Sequence, residues 1–145
     1  MQSKPEQGPP EYGPPISLEL AKKVMAAAEA EAAANCWTVA VAIVDSGGNP
    51  VMMHRLDQTQ LASIALAQSK AETAVNYKCP TRLWQDALAS GGVELRLLTM
   101  KGIIALEGGI PLIVDGKIAG AIGVSGAFPE QDTRVAVAGA NALAE

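Results

Sequence analysis

Only five of the 145 residues are aromatic: Trp37, Trp84, Tyr12, Tyr77 and Phe128. The core therefore has to be built from Ala, Val, Ile and Leu, with many small residues and close backbone approaches. Cysteine is equally scarce. Cys36 and Cys79 are the only two, and without C-x-x-C spacing they suggest neither a zinc clip nor a thioredoxin motif. They read as two buried thiols in a reducing cytosol. Histidine occurs once, at His54. No cluster of His, Cys and carboxylates has ligand spacing, so no metal site is expected. A Ser–His–acid triad built on Ser125 is also poorly supported, because no histidine lies near it in sequence. Eleven Lys and Arg are scattered among fifteen Asp and Glu, for a net charge of −4. Without a basic patch or interleaved aromatics, no nucleic-acid partner is expected. Gly and charge interrupt every apolar run well before bilayer length, so no membrane partner is expected either. Residues 1–15 lack an apolar h-region and do not read as a signal peptide. A cytoplasmic location follows as the expectation.

What remains is a chain of single-domain size, 49% apolar and 18% charged. Residues 1–15, rich in Pro, Gly, Gln and Glu, read as a disordered or loosely docked N-terminal arm, dispensable for folding. Order is expected over 16–145. Ser17 suits an N-cap, and Leu18, Ala21, Met25, Ala28 and Ala32 place one apolar face on a helix running to about Asn35. Trp37 to Val44 is apolar on both faces and reads as a central strand. Asp45-Ser46-Gly47-Gly48-Asn49 is a turn, and Pro50 to Leu56 returns as a second strand. Leu61 to Tyr77 reads as a helix ended by Pro80, with Thr81 as cap of a short helix through Leu88. Residues 93–107 suit helix or strand. Asp115-Gly116 suits a type I′ turn joining a strand at 110–114 to one starting at Lys117. In that last strand Ala119, Ala121, Gly123 and Ser125 form a stripe of tiny residues, against which a helix can press. Pro129 opens a final helix to about Leu143. Tight turns between neighbouring strands make the sheet antiparallel rather than a Rossmann type.

Several strings occur in register. They are Val44-Asp45-Ser46-Gly47-Gly48-Asn49, His54-Arg55-Leu56-Asp57, Lys70-Ala71-Glu72-Thr73-Ala74 and Pro80-Thr81. Gly108-Gly109-Ile110-Pro111-Leu112, Asp115-Gly116, Gly120 to Gly126 and Asp132 complete the set. Together the chain resembles the GlcG/HbpS-like haem-binding family, which includes the C-terminal domain of PduO, over about residues 16–145. The resemblance implies an α+β, profilin-like fold: a five-stranded antiparallel sheet with helices on both faces. It also implies a homo-oligomer, from dimer to octamer, and haem as a cofactor of some members. Others are linked to cobalamin and glycolate operons.

Each candidate site residue has a functional and a structural reading. His54 suits an axial haem ligand or a surface histidine. Met52, Met53 and Met100 offer soft sulfur or core filling. Either cysteine has the same two readings, as a thiolate ligand or a small buried hydrophobe. Arg55 and Lys70 would bind a carboxylate, with Asp57 orienting Arg55 and Thr73 and Asp132 in the same cleft; otherwise they are ordinary ion pairs. Gly109, Ser125 and Gly126 would present backbone N–H groups to an anion at a helix N-terminus, or serve close packing. The expected function is binding of a small anionic molecule. The alternatives are an enzyme acting on a small organic acid, with Asp57 or Asp132 as base, and an accessory subunit without chemistry of its own.

Overall fold

A computed structural model describes residues 8–144. Leu18–Ala34 forms α1, capped by Ser17, whose hydroxyl accepts from the N–H of Leu20 at 3.1 Å. Ala40–Asp45 (β1) and Pro50–Arg55 (β2) follow as an antiparallel pair. Ala62–Tyr77 is α2 and Arg82–Ser90 is α3. Gly109–Val114 (β3) and Lys117–Ser125 (β4) form the second hairpin, with Asp115 and Gly116 both at positive φ, as a type I′ turn requires. Pro129–Asn141 is α4.

The sheet is wholly antiparallel with strand order β2-β1-β4-β3. It has four strands, not the five that the family resemblance implied. The open stretch 93–107 supplies no strand. Gly91 and Gly92 take positive φ and turn the chain into a 3₁₀ helix, Gly92–Thr99, in which only Leu97 is buried. The two edges of the sheet are β2 and β3, and on β3 Pro111, lacking an N–H, is tolerated.

Helices cover both faces. Val39, Val41, Ile43, Ile122 and Val124 pack with α1 and α4 in one core layer. Ala40, Ala42, Val44, Ile118 and Ala121 pack with α2 in the other. Side-chain alternation in β4 slips between Ala119, which joins the first layer, and Ala121, which joins the second. Ile118 therefore faces α2 rather than lining up with Ile122, the displacement a bulge produces. The stripe of small residues does receive a helix. A Cβ on Gly123 would lie 2.0 Å from the carbonyl oxygen of Ala67 in α2.

Residues 1–7 of the arm lie outside the described residues. Glu11–Ile16 runs along the start of β4. Ile118 N–H donates to Glu11 O at 2.8 Å, Gly13 N–H to Ile118 O at 2.9 Å and Ile16 N–H to Ala119 O at 2.9 Å. The Tyr12 hydroxyl donates to Val75 O at 2.7 Å, and the Lys78 ammonium stands 4.5 Å over its ring.

Candidate functional site

The polar centre of the molecule is a buried ion pair. Lys70 lies on the sheet-facing side of α2 and Asp132 at the start of α4, and each residue is only 3% exposed. Lys70 Nζ donates to Asp132 Oδ2 at 3.1 Å and to Val124 O at 2.8 Å. Asp132 Oδ1 accepts from Ala127 N–H at 2.9 Å. The pair thus ties α2, the end of β4 and the turn into α4 together. Burial pushes the Lys70 ammonium below its ordinary pKa, against the raising effects of Asp132 and Glu107. Burial likewise pushes the Asp132 carboxyl up, against Lys70 and the backbone N–H groups of Ala127 and Gly126. Glu107 is buried as well, with Arg82 Nε 3.7 Å from its Oε2.

Glycine backbone closes over this pair. A Cβ on Gly109 would sit 2.4 Å from Lys70 O, so only glycine fits there. Gly109 N–H donates to Thr81 Oγ1 at 2.9 Å, and Thr81 N–H donates to Gly109 O at 3.0 Å. Thr81 therefore does not cap α3 through its side chain, as its position suggested; its hydroxyl is taken by β3. Thr73 Oγ1 donates to Ser69 O at 2.8 Å and accepts from Ile104 N–H at 3.1 Å, fastening the 102–104 loop to α2. Ser125 Oγ donates to Ser63 Oγ at 3.3 Å. Gly126 has φ +136, and a Cβ there would lie 2.5 Å from Thr38 O. Its position is fixed by backbone shape.

Arg55, Asp57 and His54 stand apart from this cluster. Arg55 shares a row across the sheet with Ala40 and Ser125. Both Arg55 and Asp57 are exposed, and among the described residues neither makes an ion pair. His54 lies on the α1 face of β2, its side chain 46% exposed, and its Nδ1 bonds Glu29 Oε1 of α1. The sequence reading missed Glu29, Glu107, Ser63 and the role of Thr81. Nothing in a linear pattern ties Glu29 to a histidine 25 positions away.

Cys36 is exposed and Cys79 half-buried, both free, so neither is the fully buried thiol expected. Cys36 ends α1 at φ +57, and there it lines an open cavity of about 300 Å³ with Trp37 and Phe128. Among the described residues no group of His, Cys, Asp and Glu is placed to hold a metal ion. No described helix is long and apolar enough to cross a membrane.

Residues 16–141 match the family model described as "Haem degrading protein HbpS-like". The chain belongs to the HbpS-like family. Among curated relatives, the GlcG protein of Escherichia coli is 35% identical over 110 residues, 76% of this chain and 81% of GlcG. Two solved structures have the same architecture. HbpS superposes with a TM-score of 0.82 at 32% identity, covering 99% of both chains. The PduOC:heme complex superposes with a TM-score of 0.80 at 30% identity, covering 88% of this chain and 94% of that one.

Proposed function

We propose that this HbpS-like chain is a haem-binding module of a homo-oligomer, with His54 as the axial ligand. The observation that carries the reading is the His54–Glu29 pair. A carboxylate on Nδ1 favours the tautomer in which that nitrogen donates and Nε2 keeps its lone pair, the arrangement metal-bound histidines characteristically have. His54 is exposed enough to be reached, and Met52 and Leu56 on the same side of the strand give a macrocycle half-buried apolar surface. The donor set therefore fits haem. Bound haem would supply an iron whose reactivity is set by its axial ligand and the polarity around it.

Among the described residues Arg55 and Asp57 have no ion-pair partner, and the Arg55 guanidinium suits a ligand carboxylate. Lys70, Thr73, Gly109, Ser125, Gly126 and Asp132 build the frame behind that end. The likeness to PduOC, whose crystal structure is that of a haem complex, supports the ligand class. Assembly is supported by Leu83, Val93, Leu95 and Leu98, which are 49–72% exposed around α3, a helix with no buried residue.

The test is a haem titration followed in the Soret region. The wild type is expected to give a coordination-shifted band, His54→Ala to lose it, and Glu29→Gln to weaken binding. An unchanged band and affinity in His54→Ala would remove histidine ligation from the reading.

A further inference from the structure

A second cavity lies away from His54 and from the Lys70–Asp132 pair. It has a volume of about 510 Å³, within the range of small-molecule sites. It opens between Glu11–Ile16, the first turn of α1 and the β3–β4 hairpin. Its floor is apolar: Ile16 and Ala119 are buried core residues, and Leu20 and Val114 are half-buried beside them. Pro14 and Pro15 form one wall. Both have a fixed φ and no N–H group, so this wall is stiff and presents no donor to the interior. The three backbone bonds to β4 and the Tyr12 anchor hold the wall at a set distance from the hairpin. The walls of the cavity are therefore held in place by backbone and side-chain hydrogen bonds.

The rim carries the polar groups. Lys117 makes no ion pair among the described residues, and its methylene stem runs against Gly13, where a Cβ would meet Lys117 Cβ at 2.8 Å. That contact packs the Lys117 stem beside the Pro14–Pro15 wall, and Lys117 itself lines the cavity. Ser17 lines the same side, at the start of α1, where the helix dipole adds positive potential. Asp115 lies at the hairpin turn and bears the opposite charge. Lys117 is the cation of this lining and Asp115 its carboxylate, while the start of α1 adds positive potential beside Glu19 of its first turn.

We infer that this cavity is a binding site for a small amphiphile, an aliphatic or aromatic body bearing one carboxylate. Ile16, Leu20, Val114 and Ala119 take the body and Lys117 takes the head. The site is independent of haem.

The test uses octanoate and octylamine as probes of the intact protein, with binding followed by amide chemical shifts of Leu20, Val114 and Ala119. Octanoate is expected to move these resonances in a saturable manner and octylamine far less. Lys117→Ala should weaken octanoate roughly tenfold, the effect of losing one charged hydrogen bond. Ala119→Met should fill the floor and abolish binding; a melting curve checks that it stays folded. Leu20→Ala, which enlarges the cavity without overpacking, serves if it does not. Haem titration of Lys117→Ala should match the wild type, so that this site and the His54 reading fail separately. Equal binding of the amine, or octanoate affinity indifferent to Lys117 and to the floor, overturns the proposal.

Discussion

At the scale of single residues, the Lys70–Asp132 pair dominates. Removing one member strands the other as a buried charge, which costs about 3–5 kcal/mol. Lys70→Met and Asp132→Asn should each destabilise the fold by that order, measured by urea unfolding. The double variant should lose less than the sum, because it leaves no stranded charge. Strict additivity would show that the two groups do not depend on each other. Titration adds a sign. Burial raises the Asp132 pKa, so the folded state keeps a proton that the unfolded chain has shed. The Asp132 contribution is therefore present at low pH and falls as pH rises from the ordinary carboxyl value through the raised one. The stability difference between wild type and Asp132→Asn should shrink across that window; a difference that grows with pH would contradict it. Arg55 is the contrasting case. It is exposed and among the described residues makes no ion pair, so Arg55→Lys should leave the melting temperature unchanged. It should weaken a carboxylate ligand roughly tenfold through loss of the bidentate fork. Lower stability at unchanged affinity would make Arg55 structural.

At the scale of elements, two contacts set the architecture. Helix α2 lies directly on β4 because Gly123 carries no side chain there. Gly123→Ala would force a methyl group into the Ala67 carbonyl, and we expect a loss of several kcal/mol or failure to fold, seen by circular dichroism and thermal melting. The second contact is the N-terminal segment. Its composition suggests a dispensable arm, yet Tyr12 reaches the end of α2 and three backbone bonds join the segment to β4. Deleting residues 1–15 should therefore lower the melting temperature by several degrees, and Tyr12→Phe should cost about 1 kcal/mol for its hydrogen bond. An unchanged melting temperature after the deletion would show that these contacts contribute nothing.

At the scale of the whole molecule, α3 and the following 3₁₀ helix leave Leu83, Val93, Leu95 and Leu98 uncovered. We expect a closed homo-oligomer by light scattering at micromolar concentration. Leu98→Glu and Leu83→Glu should shift it towards monomer, because each places a charge on that surface. A 15 kDa species for the wild type would refute the assembly.

Alternation and turn chemistry determined much by themselves. The all-apolar run of β1, the Asp115-Gly116 turn, the Ser17 cap and the antiparallel order were legible because each rests on neighbouring residues. Even the family could be read from spaced strings. The tertiary structure decided what depends on residues far apart. The apolar positions of the α2 pattern are Leu61, Ile64, Ala65, Ala67, Ala71 and Ala74; Ala67, Ala71 and Ala74 are buried, yet Leu61 and Ile64 are exposed, while Ser63, Lys70 and Thr73 face inward. Only the arrival of Asp132 and the Val124 carbonyl makes an inward lysine tolerable. The strand count was likewise undecidable locally, since residues 93–107 suit helix or strand and a strand exists only where an edge accepts it. Which positions form the frame and which face a ligand also followed from packing: charge and residue type are local properties, but burial is a property of the whole fold.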